Sequence, residues 1–108
     1  MTSQESSNPT VRRLVAAIND GDRDAFLVTL TPHAALTDDG HPRSLRDWIG
    51  REIFSAPGHM NVEHEEEEEE EGLHLLARYR NDTWGKMPTF WRFQVTVDKI
   101  SRIGTGQA

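Results

Sequence analysis

The apolar residues of this chain change their spacing partway along, and that change restricts the fold more than any other feature. Through most of the first half they recur at helical intervals; from His59 onward they alternate with polar residues at period two, the spacing of strands with one buried face. Ala56-Pro57-Gly58 separates the two regimes, a combination that ends helices and opens turns. A helical half followed by a run of strands reads as an α+β chain rather than as alternating βαβ units. Four strands fit the second half, at 59–68, 73–81, 87–97 and 99–105. Leu73, Leu75, Ala77 and Tyr79 share one strand face, and Thr89, Trp91, Phe93, Val95 and Val97 share another. Those faces should meet the helices. Leu76, Arg78, Arg80, Phe90, Arg92 and Gln94 then make an outer surface that mixes apolar and basic residues.

The first half supplies what covers the sheet. Asn8 can cap a helix whose first turn accepts Pro9, and Val11, Leu14, Val15 and Ile18 follow at helical spacing, predicting a helix over 9–19. Asp20-Gly21 stops it. Asp22 caps a second, short helix with Ala25, Phe26, Val28 and Leu30, ending near Pro32, so the two form a hairpin. A short strand at 34–38 precedes Asp39-Gly40 and His41-Pro42, which read as turn chemistry. Ser44 with Asp47 opens a third helix as a capping-box variant, carrying Leu45, Trp48, Ile49, Glu52 and Ile53 on one face.

Length and charge narrow the function. A chain of 108 residues makes one domain, here 8–108 behind a polar, disordered tail at 1–7. The net charge of -6, with no Lys/Arg cluster, argues against nucleic acid as a partner. The absence of cysteine excludes disulfides, thiolate metal sites and a Cys nucleophile. The start of the chain lacks the basic and apolar regions of a signal peptide, and no apolar run reaches membrane-spanning length. The simplest reading is a soluble cytoplasmic protein that engages no membrane.

The order of elements is similar to that of the nuclear transport factor 2-like superfamily, which includes SnoaL-like polyketide cyclases and ketosteroid isomerase. The resemblance runs from about Asn8 to Thr105. It is carried by Val11-Arg12-Arg13-Leu14-Val15-Ala16-Ala17-Ile18-Asn19-Asp20-Gly21-Asp22, by Leu30-Thr31-Pro32-His33-Ala34-Ala35-Leu36-Thr37-Asp38, and by Asp98-Lys99-Ile100-Ser101-Arg102-Ile103. Many members have aspartate where His33 stands. The resemblance implies a cystatin-like roll of order ααβαββββ, in which a cone-shaped, curved antiparallel sheet wraps the helical hairpin and third helix around a pocket. It further implies a homodimer formed through the convex sheet face.

Asp38 closes an Ala-x-x-x-Asp segment in the position that the general-base aspartate of ketosteroid isomerase-like proteins occupies. The resemblance therefore marks it as the catalytic base, while the neighbouring Asp39-Gly40 pair leaves a plain turn-forming role open. The isomerase pattern also calls for a tyrosine on the first helix as oxyanion donor, whereas the single tyrosine here, Tyr79, is on a strand. The pocket would be lined by Leu14, Ile18, Phe26, Trp48, Glu52, Met60, His64, Tyr79, Trp91 and Phe93, with ordinary core packing as the other reading of the aromatic residues. Glu52 is a second ionisable candidate, with Arg78 or Arg92 as partner. His64, on the face of Met60 and Val62, is either an acid–base group or a surface residue. Trp84, in a hairpin loop, is either a lid or a subunit contact.

Glu65 to Glu71 are seven consecutive glutamates. Calcium loops interleave their ligands with glycines and bends, so this run reads as a solvated hairpin tip. The five histidines lack the spacing of a metal-binding helix, and no dinucleotide, phosphate-loop or nucleophile motif is present. With Asp38 as base, the resemblance implies cofactor-free acid–base chemistry, an isomerisation, cyclisation or proton abstraction on a hydrophobic small molecule, and no metal is expected. The alternative is a non-catalytic ligand-binding or dimerisation module on the same scaffold.

Overall fold

The computed structural model describes residues 6–55, 58–68, 72–81 and 85–108. The elements run α1 (Pro9–Asp20), α2 (Arg23–Val28), β1 (Leu30–Asp38), β2 (His41–Arg43) and α3 (Leu45–Trp48), which continues into one π-helical turn (Ile49–Ile53). Then come β3 (Gly58–Glu68), β4 (Gly72–Asn81), β5 (Gly85–Thr96) and β6 (Lys99–Gln107). The six strands form one curled sheet in the order β2-β1-β6-β5-β4-β3. Every neighbouring pair is antiparallel except β1 and β6, which run parallel. Parallel pairing needs a long connection, and α3 together with the whole β3–β5 meander lies between these two strands.

Local chemistry accounts for the helices. The Asn8 side chain accepts from the amides of Thr10 and Val11, and Gly21 ends α1 in the left-handed region at φ 66°. The face carrying Val11, Leu14, Ala17 and Ile18 is buried in a single core with Leu73, Leu75, Phe93 and Val95. Burial of each large side chain of this set contributes about 1.5–3 kcal/mol. Asn19 fixes α1 to the sheet edge: its Oδ1 accepts from Met60 N at 2.6 Å and its Nδ2 donates to Met60 O at 3.2 Å. Both bonds satisfy backbone groups of an edge strand. Among the described residues no helix is long and apolar enough to cross a membrane.

Several expectations need correction. α2 ends at Val28 rather than near Pro32, because Thr29 turns its hydroxyl back to Phe26 O and its carbonyl accepts from Ile100 N at 2.8 Å. The chain thereby enters the sheet early, and β1 has nine residues. Pro32 is tolerated since the β1–β6 ladder is interrupted between Leu30 and Ala35. Asp39 and Gly40, at φ 52° and 84°, form the whole turn, as a two-residue type I′ hairpin requires. His41 therefore pairs with Asp38 and opens β2 instead of extending the turn. Ser44 stands at the N-cap of α3 without a side-chain capping bond. Val97 lies in the turn before β6, at φ 59° and 85% exposed, so it does not share the inner face of β5.

Two bulges set which residues face inward. On β3, Met60 and Val62 pair with Tyr79 and Ala77, but the next partners are His64 with Leu76 and Glu65 with Leu75. Glu63 is the extra residue, and it reverses the parity of everything after it. His64 therefore faces outward, 3.0 Å from Glu66 Oε1, and leaves the face of Met60 and Val62 on which the sequence placed it. On β6, Ser101 is the extra residue between Ile100 and Arg102, so Ile100 and Ile103 both face the core although three apart.

The first bulge turns Glu65 inward, where it accepts from the Ser6 hydroxyl and from Ser7 N at 3.0 Å. Ser6 is buried. Residues 6 and 7 are thus held against the sheet rather than belonging to a loose tail; residues 1–5 and 69–71 lie outside the described set. Burial pushes the Glu65 carboxyl up, yet the hydrogen bonds from Ser6 and Ser7 outweigh it and hold the group below the usual glutamate value. A depressed folded value stabilises the fold above the ordinary glutamate range, and this contribution is lost as pH falls through the lowered value. Urea unfolding at stepwise lower pH should show the wild type losing stability through this window and Glu65→Gln following a flatter course; parallel courses would contradict the assignment.

Candidate functional site

A cavity of about 550 Å³ opens at the end of the sheet that α1 does not reach. Asp38 and Asp39 enter it from the end of β1 and its turn, and Trp48, Glu52 and Ile53 from α3 and the π turn. Tyr79 of β4 and Met87, Thr89 and Trp91 of β5 form the sheet side, completed by Thr105, Gly106 and Gln107 of β6. The π turn is closed by Phe54 N donating to Ile49 O at 2.8 Å. Such single widened turns occur where side-chain placement matters, and here the turn presents both Glu52 and Ile53 to the cavity.

The aromatic side chains interlock. Trp48 and Trp91 meet edge to face at 6.2 Å, and Trp91 stacks on Phe93 at 6.2 Å with planes 13° apart. Trp48 Nε1 donates to Asp38 Oδ2 at 3.0 Å. Trp91 Nε1 donates to Thr89 Oγ1 at 3.0 Å, and that hydroxyl donates to Ala77 O at 2.7 Å. Thr105 donates to Phe90 O. Both indole N–H groups and both threonine protons are thus committed within the protein. The carboxylates of Asp38, Asp39 and Glu52 supply acceptors to the cavity, and no Lys, Arg or His lines it among the described residues.

Tyr79 is fully buried, with its hydroxyl 3.5 Å from Ile53 O. Burial pushes its phenol up, more than the hydrogen bond with Asn81 pulls it down, so it remains an O–H group at neutral pH. Gly58 makes room for it: a Cβ at that position would come within 2.2 Å of the Tyr79 oxygen. At Gly106 a Cβ would lie 2.3 Å from Asp39 Oδ1. The turn is tied to the same strand by Asp39 N donating to Thr105 O at 2.9 Å.

Of the residues singled out in the sequence, Asp38, Trp48, Glu52, Tyr79 and Trp91 come together at the cavity. Leu14, Ile18, Phe26, Met60 and Phe93 do not line it; they are fully packed in the core beneath α1. Phe26 meets Phe54 edge-on at 5.6 Å, and Phe93 backs the lining tryptophan. His64 is on the opposite side of the sheet. Arg78 pairs with Glu63 at 3.6 Å on the outer face, and the alternation of β5 puts Arg92 on that face too, away from Glu52. Trp84 lies outside the described residues.

Asp39, Ile53, Met87, Thr89, Thr105, Gly106 and Gln107 were not anticipated as lining residues. The last two belong to an extension of β6 past Thr105, where the strand was expected to end. Gly106 carried a usable signal, since glycine inside a strand marks a close approach of other atoms.

No protein-family model and no curated protein matches the sequence. Solved structures do match its fold. An NTF2-like protein of unknown function from Cytophaga hutchinsonii superposes with a TM-score of 0.78 at 12% identity, over 100% of this chain and 95% of that one. A protein from Catenulispora acidiphila with a ketosteroid isomerase-like fold, solved in complex with trimethylamine, gives 0.75 at 13% identity over 92% and 85% of the two chains. A computationally designed 17-OHP binder gives 0.75 at 10% identity over 89% and 88%. The chain therefore has the nuclear transport factor 2-like fold.

The contact between Gly58 and Tyr79 gives a direct check on the cavity wall. Gly58→Ala should destabilise the protein by about 1–3 kcal/mol through overpacking, and adding Tyr79→Phe should recover part of the loss, read by urea unfolding. Additive effects of the two substitutions would mean that the phenol does not pack there.

Proposed function

We propose that this is a small-molecule enzyme performing cofactor-free acid–base chemistry on a hydrophobic substrate, with Asp38 as the base. The observation that carries the reading is the placement of Asp38: a half-buried carboxylate at an aromatic-walled cavity, with Oδ2 held by the Trp48 indole N–H at 3.0 Å. Holding one oxygen fixes the rotamer, and Trp48 is the only side chain bonded to this carboxylate among the described residues. Oδ1 is left to take a proton from a substrate carbon, and the same group can return it elsewhere on the molecule, which is an isomerisation. Tyr79, kept as a neutral phenol, forms part of the cavity wall. Trp48 is a positioning residue.

The fold supports small-molecule binding in general: of the similar structures, one holds trimethylamine and another was designed to bind 17-OHP. A cavity of about 550 Å³ falls within the range of ligand pockets. To test the chemistry, steroid-like and polyketide-like ketones are incubated with the protein in deuterium oxide and followed by mass spectrometry. Asp38→Asn should bind the same compounds within a few-fold by tryptophan fluorescence while deuterium incorporation falls by about 10²–10⁴. Binding without catalysed exchange in the wild type would favour the non-catalytic ligand-binding reading.

We further infer a homodimer through the convex face. Leu76 is 38% exposed there, beside Phe90, which His74 meets edge-on at 6.2 Å. This surface mixes apolar and basic groups, as interfaces do. Sedimentation at micromolar concentration should give twice the chain mass, and a monomer alone would count against it.

A further inference from the structure

The cavity is unusual in the sign of what it offers a ligand. Its charged side chains are Asp38, Asp39 and Glu52, all acidic. The positions outside the described set contain no Lys, Arg or His, so no side chain there can supply the missing positive charge. The hydrogen-bond donors are largely committed, since the two indole N–H groups and the two threonine hydroxyls bond within the protein. An incoming molecule therefore meets mainly acceptors and aromatic rings, with the neutral Gln107 carboxamide as the one mixed donor and acceptor among the lining side chains described.

A neutral hydrocarbon filling this space would strip water from the carboxylates without replacing its hydrogen bonds, which is costly. An anion would add repulsion at short range. A cation avoids both. The rings themselves favour one, because the faces of tryptophan and tyrosine carry the negative end of the ring quadrupole. Trp48 is a strengthened case: donation of its N–H to the Asp38 carboxylate pushes electron density into the indole, and the same ring lies edge to face with Trp91.

We propose that the ligand of this cavity is a hydrophobic amine, carrying a protonated or quaternary nitrogen, with the charge placed among Trp48, Trp91 and the carboxylates of Asp39 and Glu52. This rests on the reading of the cavity as a small-molecule site and names the class of molecule it takes. The apolar part of the ligand lies against Ile53 and Met87. Asp38 keeps one oxygen on Trp48, and Glu52, on the π turn, is the residue that selects for charge.

The test uses the full chain and three probes: benzyltrimethylammonium, its neutral isostere 2,2-dimethylpropylbenzene of nearly equal shape, and the smaller anion phenylacetate. Binding is followed by tryptophan fluorescence and by calorimetry. The cation should bind about tenfold more tightly than the isostere, and phenylacetate should bind more weakly than either. Glu52→Gln should lower cation affinity several-fold without lowering that of the isostere, with circular dichroism confirming the fold; Asp39→Asn serves as the second variant and should act in the same direction. If the isostere binds as tightly as the cation, or phenylacetate binds best, the proposal fails and the small-molecule reading stands. If the wild type binds none of the three, both fail.

Discussion

A curled sheet has a concave face that must be covered, and here the cover is shorter than the face. The twelve residues of α1 span about 18 Å at helical rise, whereas the twelve residues of β5 extend for about 40 Å. One helix can close only one end. Val11, Leu14, Ala17 and Ile18 do so, and the narrow end becomes a dry core with Phe93 and Leu75. The other end is left to α3 and its π turn, which approach the sheet from the side and enclose space instead of filling it. Core and cavity are thus two outcomes of the same mismatch in length.

The open end stays in place because its polar groups are bonded to one another. Thr89 takes the Trp91 N–H and passes its own proton to Ala77 O; Asp38 takes the Trp48 N–H; Asp39 N reaches Thr105 O. The bond from Thr89 joins β5 to β4, that from Trp48 joins α3 to β1, that from Asp39 ties the β1–β2 turn to β6, and that from Trp91 lies within β5. The walls are therefore braced without a ligand, and the polar groups turned to the space are mainly the carboxylates of Asp38, Asp39 and Glu52, with the Gln107 carboxamide beside them. The bonds that hold the walls thus also decide that mostly acceptors face the space.

Much of the architecture was legible because it follows from period. The inner faces of β4 and β5, the face of α1 and the caps at Asn8, Asp22 and Gly21 obey local rules that a sequence displays directly. The faces that bring Trp48, Glu52, Tyr79 and Trp91 to the cavity were legible for the same reason, while Asp38 was singled out by the resemblance, and its role is a proposal. The errors came where local spacing does not decide. His64 shares an alternation with Met60 and Val62 until Glu63 inserts a residue that no spacing announces. Met60 and Phe93 point inward as expected, but whether an inward residue meets a cavity or a helix depends on how far α1 extends. Val97 continues the alternation of β5 and yet occupies a turn at positive φ, where a β-branched residue is disfavoured and would not be forecast.

The bulge at Glu63 also divides β3 into two stretches that count residues differently. Before it, odd and even positions have one meaning; after it they exchange meanings. A single-residue deletion at Glu63 would remove the bulge and leave His64 facing out and Glu65 facing in, whereas straightening the strand with Glu63 kept in the ladder would turn Glu65 out to solvent. Loss of one residue from the acidic run farther along would spare the contact with Ser6 and Ser7. Tolerance to deletion along this strand is thus a matter of phase: what holds Ser6 and Ser7 is the inward setting of Glu65, which survives any change that keeps its pairing with Leu75.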